Sequence, residues 1–125
     1  MSESTRSSVS IALLTVSDTR DENNDKSGKL LADRLRSDGH NLYEKFILPD
    51  NIYRVRAQVA TWISDPEVQT IISTGGTGLT GRDGTPEAVI PLFDKEIEGF
   101  GEVFRTISYE EIGTATMQSR CVAGV

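Results

Sequence analysis

The sequence holds a single cysteine, Cys121, among 125 residues. An internal disulfide and a thiol-rich metal site are therefore excluded, and a lone thiol fits a reducing cytosol, so a cytoplasmic location is expected. No apolar run approaches the roughly 20 residues that span a bilayer, so no membrane partner is expected. The opening stretch Met1–Ser8 is polar and lacks a signal-peptide core, and residues 1–9 are expected to be disordered ahead of one domain over 10–125. The net charge is −6 and Lys and Arg do not cluster, which argues against nucleic acid. Any phosphate-bearing ligand must then be held by backbone amides, a few cations and a metal. No internal repeat or low-complexity tract is present.

What the sequence does contain is an alternation of strand and helix patterns. Ser10–Val16 is nearly all apolar and reads as a central strand covered on both faces. After a polar loop, Ser27 and Gly28 open a helix with Leu30, Leu31 and Leu35 facing inward, ended by Gly39. Leu42–Leu48 reads as a second strand. Asp50 is a natural N-cap for a helix carrying Ile52, Val55, Val59 and Trp62 at spacings of three and four. The third strand runs from Val68 to Ser73. A glycine-rich turn follows, then a helix with Thr85 as N-cap and Pro86 at its first position. Gly99–Ile112 reads as helix with Phe100, Val103, Phe104 and Ile107 on one side, and Arg120–Val125 as the start of another strand. The expected fold is α/β: a mostly parallel sheet with helices on both faces.

In such a sheet ligands bind beyond the carboxyl ends of the strands. Ser17, Asp18 and Asp25 follow the first strand, Asp50 the second, and Arg82 and Asp83 the third. Aspartate is common in loops and caps, and for Asp50 capping and ligand chemistry weigh about equally on residue type alone. Together with a turn that aims backbone N–H groups and a helix N-terminus at one spot, the acids point to a phosphate-bearing ligand with Mg²⁺ held by carboxylate. The alternative is a tight turn that only connects strand and helix. Gly76–Gly81 fits G-x-G-x-x-G literally, but it follows the third strand, and no acid at a strand end lies some 20 residues on, so a dinucleotide fold is rejected. No Gly-Lys-Ser/Thr closes the turn, so it is not a P-loop. His40 reads as a solvated loop residue, Trp62 and Cys121 as core.

Thr15–Thr19, Asp25–Gly28, Pro49–Asp50, Thr74–Gly78, Arg82–Asp83, Thr85–Glu87 and Ser119–Arg120 with Gly124 occur in the order of one known pattern. The chain resembles the MoaB/MogA family of molybdenum cofactor biosynthesis proteins, nearest its MoaB branch through Phe104–Val125. The resemblance implies a three-layer αβα sandwich assembled as trimers or hexamers, with molybdopterin and ATP as ligands, Mg²⁺ as cofactor and proteins of the same pathway as further partners. It implies adenylylation of molybdopterin, or alternatively a non-catalytic molybdopterin-binding or partner-binding module. It assigns catalysis and metal binding to Asp50 and Asp83. It assigns ligand contacts to Ser17, Asp18, Ser27, Thr74, Gly75, Gly76, Thr77, Gly78, Ser119 and Arg120. Family members carry a further strand, a Pro-Gly turn and a last helix, so the C-terminal part of the family fold is expected to be missing. Gly84 stands where the family often has a hydrophobic residue.

Overall fold

The computed structural model describes residues 7–118 and 120–125. Ser119 and residues 1–6 lie outside the described residues, and with them most of the 1–9 segment expected to be disordered. Three parallel strands, β1 (Ser10–Val16), β2 (Asn41–Leu48) and β3 (Thr70–Thr74), form a sheet in the order β2-β1-β3. β1 pairs Ile11–Thr15 with Thr70–Thr74 on one side and Ser10–Val16 with Asn41–Leu48 on the other. Its Ile11–Val16 stretch is buried throughout, as an unbroken apolar run requires of a strand with both faces covered.

Alternate β1 residues serve two cores. Ala12, Leu14 and Val16 pack with Val55, Val59 and Trp62 of α2 (Ile52–Ile63) and with Ala88 and Val89 of α3 (Thr85–Val89). The opposite face of β1 meets α1 (Lys26–Ser37), where Gly28, Ala32 and Leu35 are buried. Leu30 was expected on this inner face but is 52% exposed. The buried stripe runs at i, i+4 and i+7 through Gly28, Ala32 and Leu35, which turns Leu30 outward. A short 3₁₀ turn (Ile90–Leu92) follows α3, then α4 (Glu98–Ile112) and a second 3₁₀ stretch (Gly113–Gln118).

Several helix starts differ from expectation. Asp25 caps α1, accepting from Gly28 N at 3.0 Å. Asn51, not Asp50, caps α2, its side chain accepting from the N–H groups of Tyr53 and Arg54. Gly84 occupies the N-cap of α3, and Thr85 is its first residue. Arg120–Val125 does not start a strand of the sheet: Gly124 forms an antiparallel bridge with Glu96, and Val125 exchanges hydrogen bonds with Lys95. Nor is His40 merely solvated, because its Nδ1 accepts from Val9 N at 3.2 Å.

Asp25 also anchors the α1 side of the sheet. Its buried carboxylate accepts from Thr15 Oγ1 at 2.7 Å and from Lys45 Nζ at 3.3 Å. Burial pushes this carboxyl up, but the Thr15 hydroxyl, Gly28 N–H and Lys45 outweigh it and hold it below its ordinary value. Asp25→Ala should cost about 3 kcal/mol at neutral pH, because it strands Lys45 and two donors. A lowered acid contributes stability above its unfolded value of about 4 and loses it as pH falls through the folded value. Urea melts of both proteins should therefore differ at pH 7 and converge toward pH 2. A constant gap would contradict the assignment.

Candidate functional site

The carboxyl ends of the three strands carry a connected polar cluster. Ser17 N donates to Leu48 O at 2.9 Å, tying the first loop to the end of β2. Ser17 Oγ accepts from the N–H groups of Thr19 and Arg20, a local turn that fixes where Asp18 stands. Asp18 Oδ1 accepts from Asp50 N at 3.0 Å, and its carboxylate is gripped by Arg82 through Nε at 3.1 Å and Nη2 at 2.8 Å. Arg82 thus pairs with Asp18 in a fork and joins the loops after β1 and β3. The Asp18 carboxyl is lowered by Arg82 first and by the Asp50 N–H second.

Asp50 is the buried acid of the group, 8% exposed. Its Oδ1 accepts from Gly84 N at 3.1 Å. Its Oδ2 faces Gly76: a Cβ built there would lie 3.0 Å from it and 2.2 Å from Thr85 Oγ1. Among the described residues Asp50 has no ion-pair partner. Burial pushes its carboxyl up against the pull of the Gly84 N–H, and the charges of Asp83 and Asp18 push it further. Asp83 is tuned the other way: Thr80 donates to Oδ2 through both Oγ1 at 2.7 Å and N at 3.1 Å and lowers the carboxyl.

The turn itself is built around two glycines with positive φ, Gly75 at 96° and Gly76 at 68°. Gly75 lies so close to β1 that a Cβ would sit 2.1 Å from Val16 O. Thr85 closes the turn, donating from N to Gly76 O and from Oγ1 to Gly75 O. Among the described residues the N–H groups of Gly76, Thr77 and Leu79 meet no acceptor. Arg120 lies behind the turn. It donates from Nε to the carbonyls of Gly78 (2.9 Å) and Thr77 (3.2 Å), from Nη2 to Asp83 O (3.2 Å), and from Nη1 to the Glu87 carboxylate. Gly84, where the family often has a hydrophobic residue, is buried, and a Cβ there would meet Ile52 Cγ2 at 2.5 Å.

The structure therefore brings Ser17, Asp18, Asp50, Asp83 and the Thr74–Gly78 turn to one end of the sheet. Asp25 is not with them; it turns inward beneath α1. Ser27, half-buried in the first turn of α1, has its Oγ 3.5 Å from Arg20 Nη1. Ser119 lies outside the described residues. Sequence reasoning missed Thr80, the anchor of Asp83, and Glu87, the partner of Arg120. Both fall within or beside quoted motifs, but their roles depend on partners that spacing alone does not reveal.

Comparison with known proteins bears on what this cluster is. A family model described as "Probable molybdopterin binding domain" matches residues 12–125. The chain belongs to this family. It is 56% identical over 115 residues to molybdenum cofactor biosynthesis protein B of Escherichia coli K12, covering 92% of this chain and 68% of that protein. Its identity to the Bacillus subtilis protein of the same name is 43% over 118 residues, or 94% and 69% of the two chains. Among solved structures, a molybdenum cofactor biosynthesis protein B superposes with a TM-score of 0.91 at 43% identity, over 95% of this chain and 74% of the other. The tungsten cofactor synthesizing protein MoaB from Pyrococcus furiosus gives 0.85 at 40%, with the same coverage. The MoaB/MogA assignment and its α/β parallel-sheet fold are thereby shown, and with them a place in molybdenum cofactor biosynthesis. No helix among the described residues is long and apolar enough to cross a membrane.

Proposed function

We propose that this protein is a molybdopterin adenylyltransferase: the terminal phosphate of molybdopterin attacks the α-phosphate of ATP and pyrophosphate leaves. One observation carries the reading. Among the described residues a buried carboxylate, Asp50, has no cation of its own and faces a glycine turn whose Gly76, Thr77 and Leu79 N–H groups meet no acceptor. Free amides suit phosphate or pterin oxygens, and an unneutralised buried acid suits a divalent ion.

The donor set fits Mg²⁺ in one particular way. No group of three or more acids, histidines or thiols placed to hold a metal ion by themselves is found among the described residues. Two carboxylates with substrate phosphates filling the remaining positions is the ordinary arrangement for this ion, and Asp50 and Asp83 would supply them. Bound there, Mg²⁺ would neutralise the charge of the ATP phosphates. The protein's own part is positioning: the turn amides orient the phosphate groups, the Arg82–Asp18 fork holds the Asp50 backbone in place, and Thr80 fixes Asp83.

The test is pyrophosphate release from MgATP with and without molybdopterin. Release that requires both is the expected result. Binding of molybdopterin without release would make the protein a non-catalytic binding module of the pathway.

A homotrimer or homohexamer is proposed because the family resemblance implies one, and an open apolar face supports self-association. On α4, Phe100, Val103, Phe104 and Ile107 are 51, 61, 43 and 58% exposed, an apolar face larger than scattered single residues would make. Light scattering at micromolar concentration should give a multiple of three protomers; monomer alone would contradict this. Other proteins of the pathway are proposed as transient partners, and the cytoplasm as the location.

A further inference from the structure

Among the described residues Arg120 is the one cation that touches both ends of the glycine turn, and it touches them through carbonyl oxygens. Its ion-pair partner is Glu87, on the first turns of α3. Here Nε, Nη1 and Nη2 all donate to the protein, and the side chain is only 29% exposed.

The carbonyls it holds decide where the opposite edges of the same peptides point. In a planar trans peptide the C=O and the following N–H face opposite ways. Drawing Asp83 O toward Arg120 turns the Gly84 N–H away from it, and that N–H donates to Asp50 Oδ1 at 3.1 Å. Drawing Thr77 O toward Arg120 turns the Gly78 N–H away in the same manner. Gly78 lies against Asp83, close enough that a Cβ on it would be 2.6 Å from Asp83 Oδ2.

We propose that Arg120 is a positioning residue, which acts through the Asp83–Gly84 peptide to aim the N–H group that holds Asp50 and, by gripping the Thr77 and Gly78 carbonyls, keeps Gly78 against Asp83, with Glu87 fixing the guanidinium in turn. Its link to turnover rests on the adenylyltransferase reading; the placement of the two peptides does not. The family resemblance implies a ligand contact for Arg120; the bonds to the protein use three of its five N–H groups and give it the positioning role beside that one.

The experiment uses Arg120→Lys in the full chain, which keeps the charge and removes the fork. Backbone amide exchange is read by NMR. Gly84 should exchange about tenfold faster or more, while Leu13 and Leu14 in β1 keep their rates. An unchanged rate at Gly84 would overturn the proposal. If β1 exchange also rises, the fold has loosened, and Glu87→Gln read in the same way decides. In turnover, Arg120→Lys should lower kcat about 10- to 100-fold with little change in KM for ATP, as loss of a supporting residue does. A KM effect alone would make Arg120 a ligand contact and overturn the positioning role. A wild-type protein that releases no pyrophosphate would remove the adenylyltransferase reading and leave the amide result to decide the role of Arg120.

Discussion

Asp50→Asn should lower pyrophosphate release about 100-fold or more while the fold survives. The amide keeps an oxygen to accept from Gly84 N, so the hydrogen bond at 3.1 Å is retained. The start of α2 is untouched, because Asn51 does the capping. Only the negative charge is lost, and a neutral amide is a poor ligand for a hard cation. Stability should move the other way. Burial raises the Asp50 carboxyl above its ordinary value, so its ionisation costs stability as pH rises through the folded value. The variant should therefore melt at or above the wild-type temperature at pH 7, with the difference shrinking below about pH 4, where both side chains are neutral. Unchanged turnover would make Asp50 a structural acid and favour the binding module.

Gly75→Ala is expected to be the most damaging single methyl in the turn. Two costs add at that position. A φ of 96° is strained for any L side chain, at about 1–3 kcal/mol. The new Cβ would also stand 2.1 Å from Val16 O, a backbone atom of the central strand that cannot rotate aside. Overpacking of this kind adds about 1–3 kcal/mol, so a loss near 4 kcal/mol is expected in equilibrium denaturation. Gly81→Ala is the control, since nothing lies within 4 Å of a Cβ there. Equal melting of the two variants would show that the turn relaxes freely and is not held against β1.

The parts of the fold legible in the sequence were those where one residue type has one physical use. The Ser10–Val16 run could only be a covered strand, and Val55, Val59 and Trp62 at helical spacing could only be one face. The helix starts were harder because neighbours compete. Asp50 and Asn51 are both good caps, and the backbone at Asn51 took the extended conformation a cap needs, leaving Asp50 free to reach Gly84. The site's location was legible from strand ends and the glycine turn. Its internal partners were not. Arg82 finds Asp18 across 64 positions, and Arg120 finds carbonyl oxygens, which every residue carries and no motif marks. Asp25 was misplaced for a related reason: its partner Lys45 sits on the neighbouring strand, known only once β2 is registered against β1.

The strand order β2-β1-β3 has a geometric result of its own. The chain leaving β1 turns to α1 on one face of the sheet, whereas the chain leaving β3 turns to α3 on the other, where Ala88 and Val89 join the α2 core. Two adjacent strands thus send their outgoing loops in opposite directions, and a crevice opens between them. This is the topological switch point of a doubly wound sheet, where ligands enter such folds. Asp18 on one lip and Arg82 on the other are clasped across it. The cleft is therefore a property of connectivity, present before any side chain is chosen, and the aspartates and glycines determine what enters it.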